Sequence, residues 1–289
     1  MAASTYGAGN TNLTNPLLMT SEDESDVEEY FSSRPPKERR TKIIAITIIS
    51  LLVLAIVVGV IVYFLNRKVE KQPQEVQLEI QGGVVRGQYD GEAVVFKGIP
   101  YAQPPVGTRR WQASVPCDVK KCWNGTLDAT KFGSICVQQD VMSPNDPSKV
   151  IGSEDCLFVN VWTPRERSPE QLLPVLVYVH GGYLLYLSGN WKGLHPSPEM
   201  VSDMKLVGVS FNYRLNAFGF LALKSLADVS PSKTSGNYGF MDQILVLKWV
   251  QANIRKFGGD PDSVTLIGQS SGGTSELALL ASQDRKSVV

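Results

Sequence analysis

The sharpest chemistry in the chain sits at Gly268-Gln269-Ser270-Ser271-Gly272. A G-x-S-x-G run between a strand pattern and a helix pattern holds its serine out on a tight turn, since small neighbours let the backbone close around it. Supplied with a base, a serine so exposed is a nucleophile for acyl transfer. The Ser271 N–H, at the start of the following helix, would face the oxyanion that develops. Further N–H donors are expected from His180-Gly181-Gly182, a glycine turn directly after an apolar run. His180 reads as a brace for that turn, and His195 as a solvated loop residue. They are the only histidines in 289 residues.

Those residues need elements to position them. Leu173–Val179 (LPVLVYV), 205–213 (KLVGVSFNY) and 263–268 (SVTLIG) read as three buried strands. Residues 238–257 carry a helical stripe of Leu247, Val250, Ile254 and Phe257, stopped by Gly258-Gly259-Asp260-Pro261. Ser271–Ala281 reads as the helix leaving the serine turn. Strands alternating with helices predict an α/β fold with a mostly parallel central sheet. Upstream, 78–96 alternates apolar and polar residues around Gly82-Gly83 and Asp90-Gly91, the pattern of small antiparallel strands.

The N-terminal quarter is different. Residues 43–65 (IIAITIISLLVLAIVVGVIVYFL) carry no charge, and 23 residues of helix exceed the roughly 30 Å of bilayer hydrocarbon. We read them as one transmembrane helix, an uncleaved signal-anchor that contacts the lipid bilayer. Arg34, Lys37, Arg39, Arg40 and Lys42 precede it; Arg67, Lys68 and Lys71 follow. Five against three favours a cytosolic N-terminus. Cys117, Cys122, Cys136 and Cys156 all follow the span, which suits an oxidising compartment, and Asn124-Gly125-Thr126 is a glycosylation acceptor on the same side. The expectation is a single-pass type II membrane protein: cytosolic disordered tail 1–42, span 43–65, stalk 66–77, and an extracellular or lumenal domain 78–289. The tail holds an acidic run at 21–30 (SEDESDVEEY), where Ser21 and Ser25 could meet an acid-directed kinase, and Leu17-Leu18, a candidate sorting signal.

Composition excludes several classes. With 28 basic and 28 acidic side chains there is no electrostatic footprint for nucleic acid. Two histidines cannot build a His-rich metal site, and no cofactor is expected.

Five long motifs then occur in order: 96–111 (FKGIPYAQPPVGTRRW), 153–164 (SEDCLFVNVWTP), 180–182, 211–221 (FNYRLNAFGFL) and 236–273, which ends in the serine turn. Together they resemble the type-B carboxylesterase/cholinesterase family of the α/β-hydrolase fold, over roughly residues 78–280. The resemblance implies Ser270 as nucleophile and an oxyanion hole from Gly181, Gly182 and Ser271. It implies a Cys136–Cys156 disulfide, and structural ion pairs Arg110–Glu154 and Arg214–Asp242. Cys117 and Cys122 lie outside the family pattern, and their spacing suggests a local disulfide in a short loop.

Three departures stand against that pattern. Tyr183 occupies the third place of a glycine run and could mis-aim one oxyanion N–H. Gln269 replaces the usual Glu. In this fold the triad runs Ser, acid, His, yet the 19 residues after Ser270 contain Glu276 and Asp284 and no histidine. The resemblance also implies an eight-stranded core sheet, of which this chain reaches the fifth strand. The expectation is therefore the N-terminal half of a membrane-anchored serine carboxylic-ester hydrolase, acting on small-molecule esters when complete and inactive as given. Two alternatives compete with it. One is a non-catalytic adhesion ectodomain of the neurotactin or neuroligin kind, with an extracellular protein partner; the other is a short non-catalytic isoform.

Overall fold

A 23-residue apolar run, about six helical turns, lies in its own unit. Helix α1, Pro36–Asn66, contains all of 43–65 and begins seven residues earlier than the uncharged stretch. Proline is tolerated in a first turn, and Lys, Glu and Arg are good helix formers, so nothing stops the helix at Lys42. By length and composition, Arg39–Tyr63 can cross a membrane, and its apolar side chains are exposed on every side. The computed structural model describes residues 36–66, 75–117, 122–143, 145–146 and 148–282. The acidic run at 21–30, Leu17-Leu18, Ser21 and Ser25, most of the stalk and Asp284 lie outside them.

The second unit is an α/β domain built on one eight-stranded sheet. Its strands are β1 Glu75–Ile80, β2 Gly83–Asp90, β3 Ala93–Pro100, β4 Thr126–Asp128, β7 Phe158–Pro164, β8 Leu173–Val179, β9 Val207–Phe211 and β10 Gly259–Gly268, while the short pair β5 Gln138–Gln139 and β6 Val150–Ile151 stands apart. Spatial order is β1-β2-β3-β7-β9-β8-β10, with β4 added beside β2. The predicted α/β class holds, but the mostly parallel sheet does not. Pairings β1-β2, β2-β3, β3-β7 and β7-β9 are antiparallel; only β2-β4, β9-β8 and β8-β10 are parallel. The reason is local. Parallel neighbours need a crossover; apart from the short β2-β4 pair, the crossovers here use helices, α2 Pro198–Met204 and α5 Tyr238–Asn253, which occur only after β8. β7 itself was legible only as a motif, and it stands at the centre of the sheet.

Both faces are covered. One buries Phe96, Val161, Val177, Val209 and Phe257 among others; the opposite face buries Trp162, Ala93, Val95, Val201 and Leu206. Period-two alternation along β7 sends Val161 to the first and Trp162 to the second. Helix α5 ends in a 3-10 turn at Ile254–Phe257, where Gly258 takes φ +85°, a left-handed stop that a side chain would strain. The strand read as 263–268 starts earlier, at Gly259, with a register irregularity before Val264. It was expected buried, yet it alternates between exposed and half-buried positions, because among the described residues β8 is its only strand neighbour. Two short helices, α3 Asn216–Phe220 and α4 Lys224–Val229, precede α5, and α6 Ser271–Ala281 follows β10.

Candidate active site

Strand β10 and helix α6 meet at Ser270, and the junction is tight enough to force an unusual backbone. Ser270 has φ +56° and ψ −122°, a combination that costs a non-glycine residue of order 1–3 kcal/mol. The neighbouring glycines explain how it is held. A Cβ at Gly268 would collide with the backbone of Gly272 and Gly273, and one at Gly272 with the Val179 carbonyl. Hydrogen bonds close the turn: Gln269 N–H donates to Val179 O (3.3 Å), Gly272 N–H to Gln269 O (2.9 Å) and Gly273 N–H to Ser270 O (3.0 Å). Underneath, the Ser275 hydroxyl donates to Ser271 O (3.0 Å) and accepts from the Gln243 amide (3.2 Å). Ser270 itself is exposed.

The glycine turn after β8 lies against this serine. A Cβ on Gly181 would stand 3.1 Å from the Ser270 Cβ, so only glycine lets the two segments approach. Gly182 has φ +102°, and its carbonyl accepts from Leu185 N–H (2.9 Å) and Tyr186 N–H (3.1 Å). The N–H groups of Gly181, Gly182 and Ser271 make no hydrogen bond among the described residues. Gly181 and Ser271 thus flank one exposed hydroxyl, with Gly182 next along the glycine turn. Ser271 is the first residue of α6, where the positive end of the helix dipole adds to its N–H.

Tyr183 sits in this turn at φ +57°, with Leu184 at +62° and Leu187 at +73°. Its ring projects outward, 72% exposed, 6.2 Å from that of Tyr186. Clamps elsewhere hold the strained segment: Asn216 N–H donates to Leu184 O (2.7 Å), and the Gln138 side chain bonds both the N–H (2.7 Å) and the carbonyl (2.9 Å) of Leu187. The bulky residue is thus accommodated with its ring in solvent.

His180 is buried below the turn. Its Nδ1 lies 2.9 Å from Gly181 O, its ring stacks on Tyr213 at 4.3 Å, and the Tyr213 hydroxyl donates to His180 O (2.8 Å). Burial pushes its pKa down to about 4, so it is neutral near pH 7 and occupied as a brace. His195 departs from the expected solvated loop. It stacks on Trp162 at 5.1 Å and 15°, with Phe132 at 5.5 Å, because an aromatic ring covers the apolar face of β7. Among the described residues neither imidazole bonds a serine. Glu276 lies on α6 itself, and burial raises its carboxyl above the ordinary range.

The other residues singled out surround this site as scaffold. Disulfides join Cys136 to Cys156 and Cys117 to Cys122. Arg214 forks onto Asp242 (2.7 and 2.8 Å) with both side chains buried, and its own N–H adds a third bond (3.0 Å). Burial opposes the Arg214 charge, but Asp242 more than offsets it and raises the pKa above the ordinary value. Arg110 pairs with Glu154 at a more open position. Asn124 is exposed on the loop between Cys122 and β4. Sequence reading missed Tyr213, Gln243 and Ser275, which brace the turn from below; their only signal is polarity inside otherwise apolar segments. Among the described residues no cluster of His, Cys, Asp and Glu could hold a metal ion.

A mixed sheet whose strand-turn-helix strains one serine into the open, opposite a glycine turn with free N–H groups, is the arrangement of an α/β-hydrolase. The chain belongs to the carboxylesterase family, which residues 73–289 match. It is 44% identical over 202 residues to para-nitrobenzyl esterase of Bacillus subtilis (strain 168), covering 70% of this chain and 39% of that protein. To juvenile hormone esterase of Tribolium castaneum it is 42% identical over 191 residues, 66% of this chain and 30% of the relative. Among solved structures, a thermophilic pNB esterase superposes with a TM-score of 0.61 at 42% identity, covering 71% of this chain and 41% of the other. The chain thus spans about two-fifths or less of the length of these relatives.

Proposed function

We propose that this chain is the nucleophile-bearing portion of a membrane-anchored serine carboxylic-ester hydrolase. Ser270 attacks the ester carbonyl, the N–H groups of Gly181, Gly182 and Ser271 hold the oxyanion, and water releases the acyl group. The observation that carries this reading is the strained, exposed Ser270 beside three unpartnered donors. Relatives named as esterases support small-molecule esters as the substrate class. The reaction also needs an imidazole at Ser270, which neither His180 nor His195 offers. The chain alone should then turn over a para-nitrophenyl ester on the order of 10⁶-fold more slowly than a complete esterase.

The chain is anchored by 43–65 as a type II protein, N-terminus cytosolic, with the α/β domain and a glycan at Asn124 on the far side. The test is labelling of the complete protein with a fluorophosphonate probe. Label on Ser270, absent in Ser270→Ala, is the expected result; a complete protein that takes no label would refute the mechanism. An adhesive role without catalysis has one observation in its favour, the exposed Tyr183 and Leu185 beside the glycine turn. It predicts an unlabelled Ser270 and loss of cell aggregation on Tyr183→Ser.

A further inference from the structure

The loop that enters β4 leaves an asparagine amide and the next backbone nitrogen open to water. Two anchors fix its ends. Before it, the Trp123 ring covers the β1–β2 turn, where a Cβ on Gly82 would come within 2.7 Å of the indole. After it, β4 hangs on β2 through the pairs Val84↔Thr126, Val85↔Leu127 and Arg86↔Asp128. Asn124 and Gly125 bridge the two anchors, and both are exposed. Gly125 takes φ +68°, and a Cβ there would meet nothing within 4 Å. Among the described residues neither the Asn124 amide nor the Gly125 N–H has a hydrogen bond.

An asparagine followed by glycine is the pair best suited to closing a ring on itself. The next residue's backbone nitrogen must reach the side-chain carbonyl carbon, and a missing Cβ removes the steric obstacle. That nitrogen must also give up its proton, which a donor engaged in a ladder or turn does not do readily. Asn124-Gly125 is the one Asn-Gly pair in the chain. Other asparagines are held. Asn160, Asn212 and Asn253 are buried, and their amides donate to Ser210 Oγ (3.1 Å), Ser134 O (3.1 Å) and Trp249 O (3.0 Å). The Asn190 and Asn216 amides donate to Gly133 O (3.0 Å) and Val137 O (2.8 Å).

We propose that Asn124 is a deamidation site, and that deamidation and glycosylation exclude each other there. The Gly125 nitrogen gives its proton to water and attacks Asn124 Cγ. The new N–Cγ bond closes a succinimide, and the Cγ–Nδ2 bond breaks to release ammonia. Water then opens either ring carbonyl and leaves aspartate or isoaspartate. Overall one water is consumed and one ammonia lost, with no oxidant or cofactor. A glycan occupies the same Nδ2 and blocks its departure; the aspartate products have no amide left to accept one. Isoaspartate also lengthens the main chain by a methylene directly before β4. The glycan half of this proposal rests on the far-side placement of the domain, and the ring closure does not.

The test uses the full chain in lipid nanodiscs, made in bacteria so that Asn124 carries no sugar, and held at neutral pH and body temperature. Mass spectrometry reads residues 122–131, which trypsin releases between Lys121 and Lys131 after reduction. A gain of about 1 Da at Asn124 is expected over days, with isoaspartate outnumbering aspartate. Gly125→Asn tolerates the left-handed φ and adds a Cβ, and it should slow the gain about tenfold. Chain from glycosylating cells should show the gain only in its sugar-free fraction. No mass gain, aspartate without isoaspartate, a rate unchanged in Gly125→Asn, or isoaspartate beneath an intact glycan would each overturn the proposal. Chain from those cells with no glycan at all would refute the glycan half together with the type II reading, while the bacterial chain still reads ring closure by itself.

Discussion

At the scale of single residues, buried charge and buried imidazole decide the outcome. His180 has an ordinary value of 6.5 and is driven down to about 4 in the folded chain. Between those values the unfolded chain binds a proton that the folded chain refuses. Stability is therefore full above about pH 6.5 and falls as the pH drops toward 4, by about 3 kcal/mol in all. Urea unfolding of wild type and His180→Asn across that range should show this slope in the first and lose it in the second. The Arg214–Asp242 pair behaves differently, since both partners are buried and multiply bonded. Asp242→Asn leaves a buried guanidinium without its counter-charge and should cost about 3–5 kcal/mol. The more exposed Arg110–Glu154 pair should cost no more than about 1 kcal/mol when broken, measured by the same unfolding curves.

At the scale of elements, the junction of β10 with α6 works because its glycines remove side chains where two backbones touch. Gly272 has no room for even a methyl group against the Val179 carbonyl. Gly272→Ala should push the turn away from β8, relax Ser270, and abolish fluorophosphonate labelling of the complete protein while the disulfides still form. Mass spectrometry of the labelled peptide reads that loss. The elements were legible to different degrees. β8 was readable as LPVLVYV because a strand covered on both faces is a continuous apolar run. Helix α5 was readable from its stripe, and Gly258 from its place after it. β7 was not read as a strand: FVNVWTP places Asn160 in its middle, and that asparagine is tolerated only because it donates to the Ser210 hydroxyl (3.1 Å) and accepts from Gly98 N–H (2.8 Å). Those partners are 50 and 62 residues away in the chain.

At the scale of the whole molecule, the two units differ in what they bury. Between Arg39 and Tyr63 helix α1 has no buried apolar face and is long and apolar enough to cross a membrane, whereas the α/β domain hides its apolar residues on both sides of the sheet. The type II reading makes a joint prediction. Expressed in cells, the protein should lose one glycan's mass on Asn124→Gln, and a tag at Met1 should resist protease added outside intact cells. A glycan-free wild type with an exposed Met1 tag would reverse the orientation.

By itself the sequence determined the long apolar helix, the serine turn with its glycine partners, and the α/β class. Each is written in contiguous residues, because helix stripes, buried runs and tight turns are local consequences of side-chain size and polarity. Tertiary structure alone decided the mixed direction of the sheet and the stacking of His195 on Trp162. It also decided that the Tyr183 ring is exposed to solvent. Those features depend on pairings between residues far apart in the chain, and no local pattern of polarity encodes which distant strand a residue will meet.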